Sequence, residues 1–278
     1  MSAAELLRWE VGVLAAVMGA VVGSFLNVVI YRVPLGRSVV RPRSHCPACG
    51  ALIAWWHNLP IVSWFLLRGR CAACRTPFSF RYPAVEALNA ALWLLVFLRH
   101  GLSLQALLLL PFVSAMLVLF FTDFDHQLLP NRITYPLALV GLLSAPWNPL
   151  LDLAPAAFSP GTPVGRVIAS VAGAVLGYGI FFALAVTWQM LFAREAMGGG
   201  DLKMMLGVGA FLGMGGVVFT IFLASVVGTL LSLPYLLAGK WGMTRELPFG
   251  CFLAPSALAG AFYGDALLRW YLSLIVLP

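Results

Sequence analysis

The chain has 278 residues, 62% hydrophobic and 10% charged, with a mean hydropathy of +0.95. Soluble globular proteins carry roughly a quarter charged residues, so this composition excludes an ordinary water-soluble fold and points to a protein that lives in a lipid bilayer. The net charge of +7, from 17 Lys and Arg against 10 Asp and Glu, sits in short loops between apolar segments. There it is a topology signal rather than the footprint of a nucleic-acid binder, and no nucleic-acid partner is expected.

A membrane-spanning helix needs about 20 mostly apolar residues. Eight stretches reach or approach this: 11–31, 83–98, 104–122, 132–145, 165–192, 202–214, 216–238 and 252–276. The expected fold is therefore an all-α polytopic membrane protein of about eight transmembrane helices, the fourth and sixth being short. The first ten residues carry Glu5, Glu10 and a single Arg, and the apolar run that follows lacks an A-x-A cleavage site, so residues 1–31 are expected to be a retained first helix. Gly173, Gly177, Gly179, Gly207, Gly209 and Gly213 fall inside helical stretches, where small residues let membrane helices approach closely.

The longest polar interruption, residues 32–82, holds Arg32, Arg37, Arg41, Arg43, Arg68, Arg70, Arg75 and Arg81, eight of the 17 basic residues. By the positive-inside rule it is cytoplasmic. Eight crossings then put the loops near 123–132, 193–203 and 239–250 on the same side. These add Arg132, Arg194, Lys203, Lys240 and Arg245, which brings thirteen of 17 basic residues inside. The expected division is 1–31 as the first helix, 32–82 as a cytoplasmic loop domain, and 83–278 as the remaining membrane core.

Within the loop, Cys46-Pro-Ala-Cys49 and Cys71-Ala-Ala-Cys74 are separated by 21 residues. Two C-x-x-C knuckles at this spacing fit a tetrahedral four-cysteine zinc site, structural because no coordination position remains for water. A pair of disulfides conflicts with a cytoplasmic loop, and a redox motif leaves the second knuckle unexplained. Cys251, at the start of an apolar helix, reads as a small buried hydrophobe.

Acidic residues are scarce, and an ionisable group at the edge of a membrane helix is a functional candidate. Asp123 ends the apolar run PFVSAMLVLFFT, and Asp201 follows MGGG at the head of a helix. They are 78 positions apart but fall at the same side of the membrane in this topology. Two carboxylates together in a low-dielectric site share a proton and supply a base and an acid. The residues alone also allow Asp201 as an N-cap, and Asp123 with Asp125 as a solvated turn. His126 reads as a surface residue, Met204 and Met205 as core filling, and Lys203 as either a partner of a carboxylate or a snorkelling cation.

At these residues the sequence resembles the prepilin peptidase family. GSFLNVVIYRVP at 23–34, the segment from HCPACG through RYPAVEALN, DFDHQLLPN at 123–131 and GGGDLK at 198–203 match its motifs in order. Asn131 departs from a common Asp, and Thr122 from a common apolar residue. The resemblance implies a bacterial inner-membrane aspartic endopeptidase with Asp123 and Asp201 as its catalytic pair. It would cut the basic leader of type IV prepilins or pseudopilins after a glycine at the cytoplasmic face. It also implies N-methylation of the new N-terminal residue with S-adenosylmethionine; Glu86, Arg81 and Asn27 are candidates for that cofactor's site. The alternative of another class is a transporter or channel with acids lining an ion path near the bilayer midplane; a third is a non-catalytic scaffold.

Overall fold

A computed structural model describes residues 3–153, 161–193, 198–237 and 248–275. Among them the protein is helical, with two isolated bridges in the cysteine loop. The helices are α1 (Ala3–Arg32), α2 (Val62–Leu66), α3 (Arg81–His100), α4 (Leu104–His126), α5 (Asn131–Ser144), α6 (Pro163–Phe192), α7 (Gly199–Leu237) and α8 (Gly250–Ile275). Five segments are long and apolar enough to cross a membrane: Trp9–Arg32, Arg81–His100, Leu104–His126, Pro163–Phe192 and Gly199–Pro234. The all-helical, multi-pass expectation holds. Arg194, Lys240 and Arg245, used above to orient the chain, lie outside the described residues.

The chain forms two compact units, Met1–Val118 and Leu119–Pro278. In the first, α1 and α3 pack antiparallel through Gly19-x-x-x-Gly23. A Cβ on Gly19 would stand 2.8 Å from Trp93 Cβ, and one on Gly23 would stand 2.8 Å from Glu86 Cα. Bare backbone is what lets these helices touch, since van der Waals packing, not hydrophobic burial, drives association in lipid. A satisfied polar chain crosses the same contact: Asn89 Nδ2 donates to Gly19 O (2.7 Å), Ser114 Oγ to Asn89 Oδ1 (3.0 Å), and Trp93 Nε1 to Ser114 Oγ (3.0 Å). Where α1 ends, buried Arg32 gathers the loop by donating to Ser38 O and Pro42 O.

In the second unit α7 is one unbroken run only by hydrogen-bond pattern. At Gly213 the backbone takes φ 67°, ψ −172°, a region essentially restricted to glycine. A straight 39-residue helix would measure about 58 Å, nearly twice the hydrocarbon core. Instead the chain doubles back. A Cβ on Gly177 would meet Met205 O and lie 3.3 Å from Val217 Cγ2, although those residues would stand about 18 Å apart on a straight helix. The reversal orphans carbonyls at the end of the first limb, and side chains satisfy them: Ser170 Oγ donates to Ala210 O (2.7 Å) and Asn148 Nδ2 to Phe211 O (2.8 Å). The expected stretches 202–214 and 216–238 are the two limbs.

At the reversal end, Arg166 grips Asp152 with two bonds of 2.8 and 2.7 Å. The Arg166 hydrogen bonds hold the Asp152 carboxyl below the usual carboxylate range. A depressed carboxylate stabilises the fold above its unfolded pKa, and this is lost as pH falls through the lower folded value. The pair is partly exposed, so the effect is about 1 kcal/mol or less. Asp152→Asn should lower the Tm by a few degrees at neutral pH, and the two proteins should converge as pH falls through the lowered folded value of Asp152.

Candidate active site

Asp123 lies one turn before the end of α4, and Asp201 is the third residue of α7. Both are buried, 5% and 9% exposed. The structure brings them to one place: Leu129 packs against Gly200, the neighbour of Asp201, and against Gly250, which abuts the Asp123 carboxylate. Asp123 Oδ2 accepts a hydrogen bond from the Cys251 backbone N–H at 2.9 Å, in the first turn of α8. A Cβ on Gly250 would come within 2.8 Å of the same oxygen, so this helix start must be bare for the carboxylate to seat. Leu129 fills the space beneath. Its Cβ is 2.8 Å from where a Cβ on Gly200 would sit, and its Cδ1 is 3.2 Å from one on Gly250. One helix C-terminus and two helix N-termini thus converge on the acidic pair. The N-termini supply a field that favours negative charge.

Asp201 Oδ1 is buried with no hydrogen-bond partner among the described residues. Leaving such an acceptor unmet costs about 1–3 kcal/mol, and a water or substrate group entering the site would recover that. Both aspartates sit at helix ends, not at mid-span, which disfavours the transport reading with its midplane ion path.

Other expected residues fall as follows. Lys203 turns away from the pair; its Nζ donates to Asn131 Oδ1 at 2.9 Å and lies over the Tyr135 ring. Asn131, the departure from the common Asp, therefore keeps an acceptor for this lysine. Asp125 and His126 are exposed, and Met204 and Met205 are fully buried. Gly199 and Gly200 already belong to the first turn of α7. The residues missed from sequence are Gly250 and Cys251. Cys251 is buried as expected, but its backbone amide serves Asp123. The available signal was the LPFG turn heading an apolar run.

In the first unit the sulfurs of Cys46, Cys49, Cys71 and Cys74 lie within 4.8 Å of one another, and none is in a disulfide. The two knuckles are built alike. Cys46 N donates to Ala51 O and Cys71 N to Thr76 O, both at 2.9 Å, and the chain then turns back through Gly50 N to Cys46 O and Arg75 N to Cys71 O. Both turn residues, Gly50 and Arg75, have positive φ. Four thiolates around one tetrahedral ion at about 2.3 Å would stand about 3.8 Å apart; Cys46 and Cys74 are at 3.7 Å. The Thr76 hydroxyl and backbone hold the Cys74 thiol down at about 6, which favours the thiolate form that a metal needs. The donor set fits a divalent metal.

Between this cluster, α1 and α3 lies a cavity of about 800 Å³, within the range of small-molecule sites. Asn27 and Glu86 line it; Arg81 does not. Asn27 Nδ2 donates to Tyr82 O at 3.1 Å, tying α1 to α3, so its role there is at least partly structural.

Two protein-family profiles match the chain: the bacterial peptidase A24 N-terminal domain over residues 17–100 and the type IV leader peptidase family over residues 110–233. The chain belongs to the type IV leader peptidase family. Proteins named prepilin leader peptidase/N-methyltransferase are similar to it along most of their length. The one from Legionella pneumophila is 32% identical over 287 residues, covering 95% of each chain. That from Pseudomonas putida is 36% identical over 277 residues, covering 91% of this chain and 90% of the relative. That from Neisseria gonorrhoeae is 37% identical over 239 residues, covering 77% and 79%. No solved structure matches the chain.

Proposed function

We propose that the protein is an aspartic endopeptidase of the bacterial inner membrane that removes the basic leader of type IV prepilins or pseudopilins. The cut falls after a glycine at the cytoplasmic face, and Asp123 and Asp201 are the catalytic pair. The observation that carries this reading is the burial of the two carboxylates side by side at helix ends. One accepts a proton from a water held between them while the other donates to the scissile carbonyl oxygen or the leaving amine. A prepilin's apolar helix lying in the bilayer presents its scissile bond at this depth, which lowers the entropic barrier. The chain reversal at Gly213 supports eight crossings, with Asp123, Asp201 and the arginine-rich loop on the cytoplasmic side. Mass spectrometry of a co-expressed prepilin tests the reading: the product should begin just after the leader glycine. An uncut prepilin beside correctly inserted enzyme rejects it.

The same protein, on this reading, N-methylates the new N-terminus with S-adenosylmethionine, and the cavity beside the cysteine loop is of a size and polarity to accept that donor. The four cysteines hold a structural zinc, which supplies cross-linking of the loop and no chemistry of its own. The purified protein should carry about one zinc per chain. Cys46→Ser or Cys71→Ser should lose it and make loop residues 43–78 susceptible to limited proteolysis, while cleavage at the aspartates is reduced less than methylation. Stoichiometric zinc retained after all four cysteines are changed to Ser would reject the site.

A further inference from the structure

We propose that Glu86 is the proton acceptor for the amine that becomes methylated, a role that rests on the methyltransferase reading above. Glu86 is the one carboxylate on the cavity wall. It stands in the second turn of α3, buried at 8% exposure, where bare Gly23 lets α1 press against its backbone. The other charged side chains on the wall, among the described residues, are arginines. Arg37, Arg41 and Arg70 line the same space and have no carboxylate partner among the described residues. A cavity with several guanidiniums and a single acid suits a pair of ligands. One carries a carboxylate, as an amino-acid-derived methyl donor does; the other carries a cationic amine, which the lone acid attracts.

The chemistry needs an acid-derived base there. An N-terminal ammonium has no lone pair and is not a nucleophile until it loses a proton. The Glu86 carboxylate takes one proton from the ammonium and later passes it to water, which frees the lone pair. The neutral amine then attacks the donor's methyl carbon; the N–C bond forms as the S–C bond breaks, the bonding pair leaves with sulfur as a neutral sulfide, and the product is a methylammonium. No oxidant or further reactant is required.

The backbone beside Glu86 shows that its placement is enforced. Ile61 has φ 62° and ψ −56°, an outlier for a β-branched residue, inside a tight turn in which Val62 N donates to Pro60 O at 2.6 Å. Such strain persists where neighbours over-determine it, commonly at functional sites. The neighbour here is Glu86: its Oε2 accepts from Ile61 N at 2.6 Å. This fixed donor aims the carboxylate and leaves it further acceptor capacity for a ligand.

A latch and a base are separable, because Gln still offers an oxygen to the Ile61 N–H but cannot take a proton. The full-length protein in nanodiscs, wild type and Glu86→Gln, is assayed with a prepilin and S-adenosylmethionine. Products are weighed by mass spectrometry, donor affinity is measured by calorimetry, and protection of the Ile61 amide by hydrogen exchange. Cleavage serves as the internal measure of correct folding. The expected result is methylation reduced about 100-fold or more, with cleavage, donor affinity and Ile61 protection each within about two-fold of wild type. Glu86→Ala, which removes both functions, should lose Ile61 protection as well. Wild-type methylation by Glu86→Gln overturns the proposal and leaves Glu86 a latch, as does loss of methylation accompanied by loss of Ile61 protection in that variant. A wild-type protein that cleaves but adds no methyl mass overturns the methyltransferase reading itself.

Discussion

Asp123→Asn and Asp201→Asn should each reduce leader cleavage by roughly 10²–10⁴-fold or more, the range of positioned acid–base catalysis. Asn keeps the shape of the side chain and cannot exchange protons. Asp123→Asn can still accept the Cys251 N–H bond, so the helix ends should stay in register and the Tm in detergent should move little. If the two carboxylates act as a unit, as proposed, the double variant should be hardly slower than either single one. A processing assay on a purified prepilin, run beside thermal unfolding, checks both statements. Complete processing by either single variant would remove the catalytic assignment.

The largest effect on stability is expected at Gly209. A Cβ there would meet Gly173 O and the Ala174 backbone nitrogen at 2.8 Å, and a Cβ on Gly173 would in turn meet Gly209 O and the Gly213 backbone at 2.6 Å. These neighbours are backbone atoms that cannot swing aside. Gly209→Ala must push α6 off α7, and overpacking of this kind costs about 1–3 kcal/mol or more. Gly179 lies on the same α6, and a Cβ there meets nothing within 4 Å; Gly179→Ala should be neutral or slightly stabilising through helix propensity. Thermal unfolding of the two variants in one detergent gives the contrast. Since Gly209 lies about two turns beyond Asp201 on the same limb, its variant should also lose cleavage activity. Equal melting temperatures for the two variants would contradict the close packing of α6 on α7.

Much of this was legible in the sequence because lipid imposes few choices. Apolar length fixes helices, and α3, α4 and α6 begin and end within a few residues of the stretches read from composition. The cysteine spacing was legible for a similar reason: a C-x-x-C knuckle is a local structure whose geometry is carried by its own backbone, and both knuckles repeat it. The aspartates were legible as scarce charges at helix ends. The third wall of their site was not. Gly250 and Cys251 contribute a bare backbone and an amide; LPFG ahead of an apolar run marks a helix start there, but no side chain shows that this start serves Asp123. The role of Glu86 was obscured likewise. The resemblance offered it only as one of three candidates for the methyl donor's site, and only the strained Ile61 amide it accepts reveals that it is aimed. The Gly213 reversal was legible as a gap between two apolar runs, but not as the point where Ser170 and Asn148 take up the stranded carbonyls.

That reversal has a mechanical corollary. Both limbs of α7 lean on α6, at Gly173 and Gly177, so the helix bearing Asp201 is gripped along two rails and cannot slide lengthwise without dragging its neighbour. Asp201 is a fixed anvil. On the proposed mechanism, the adjustment that admits a polypeptide then falls to the rim, around Leu129 and Gly250, and the scissile bond travels to the acid, never the acid to the bond.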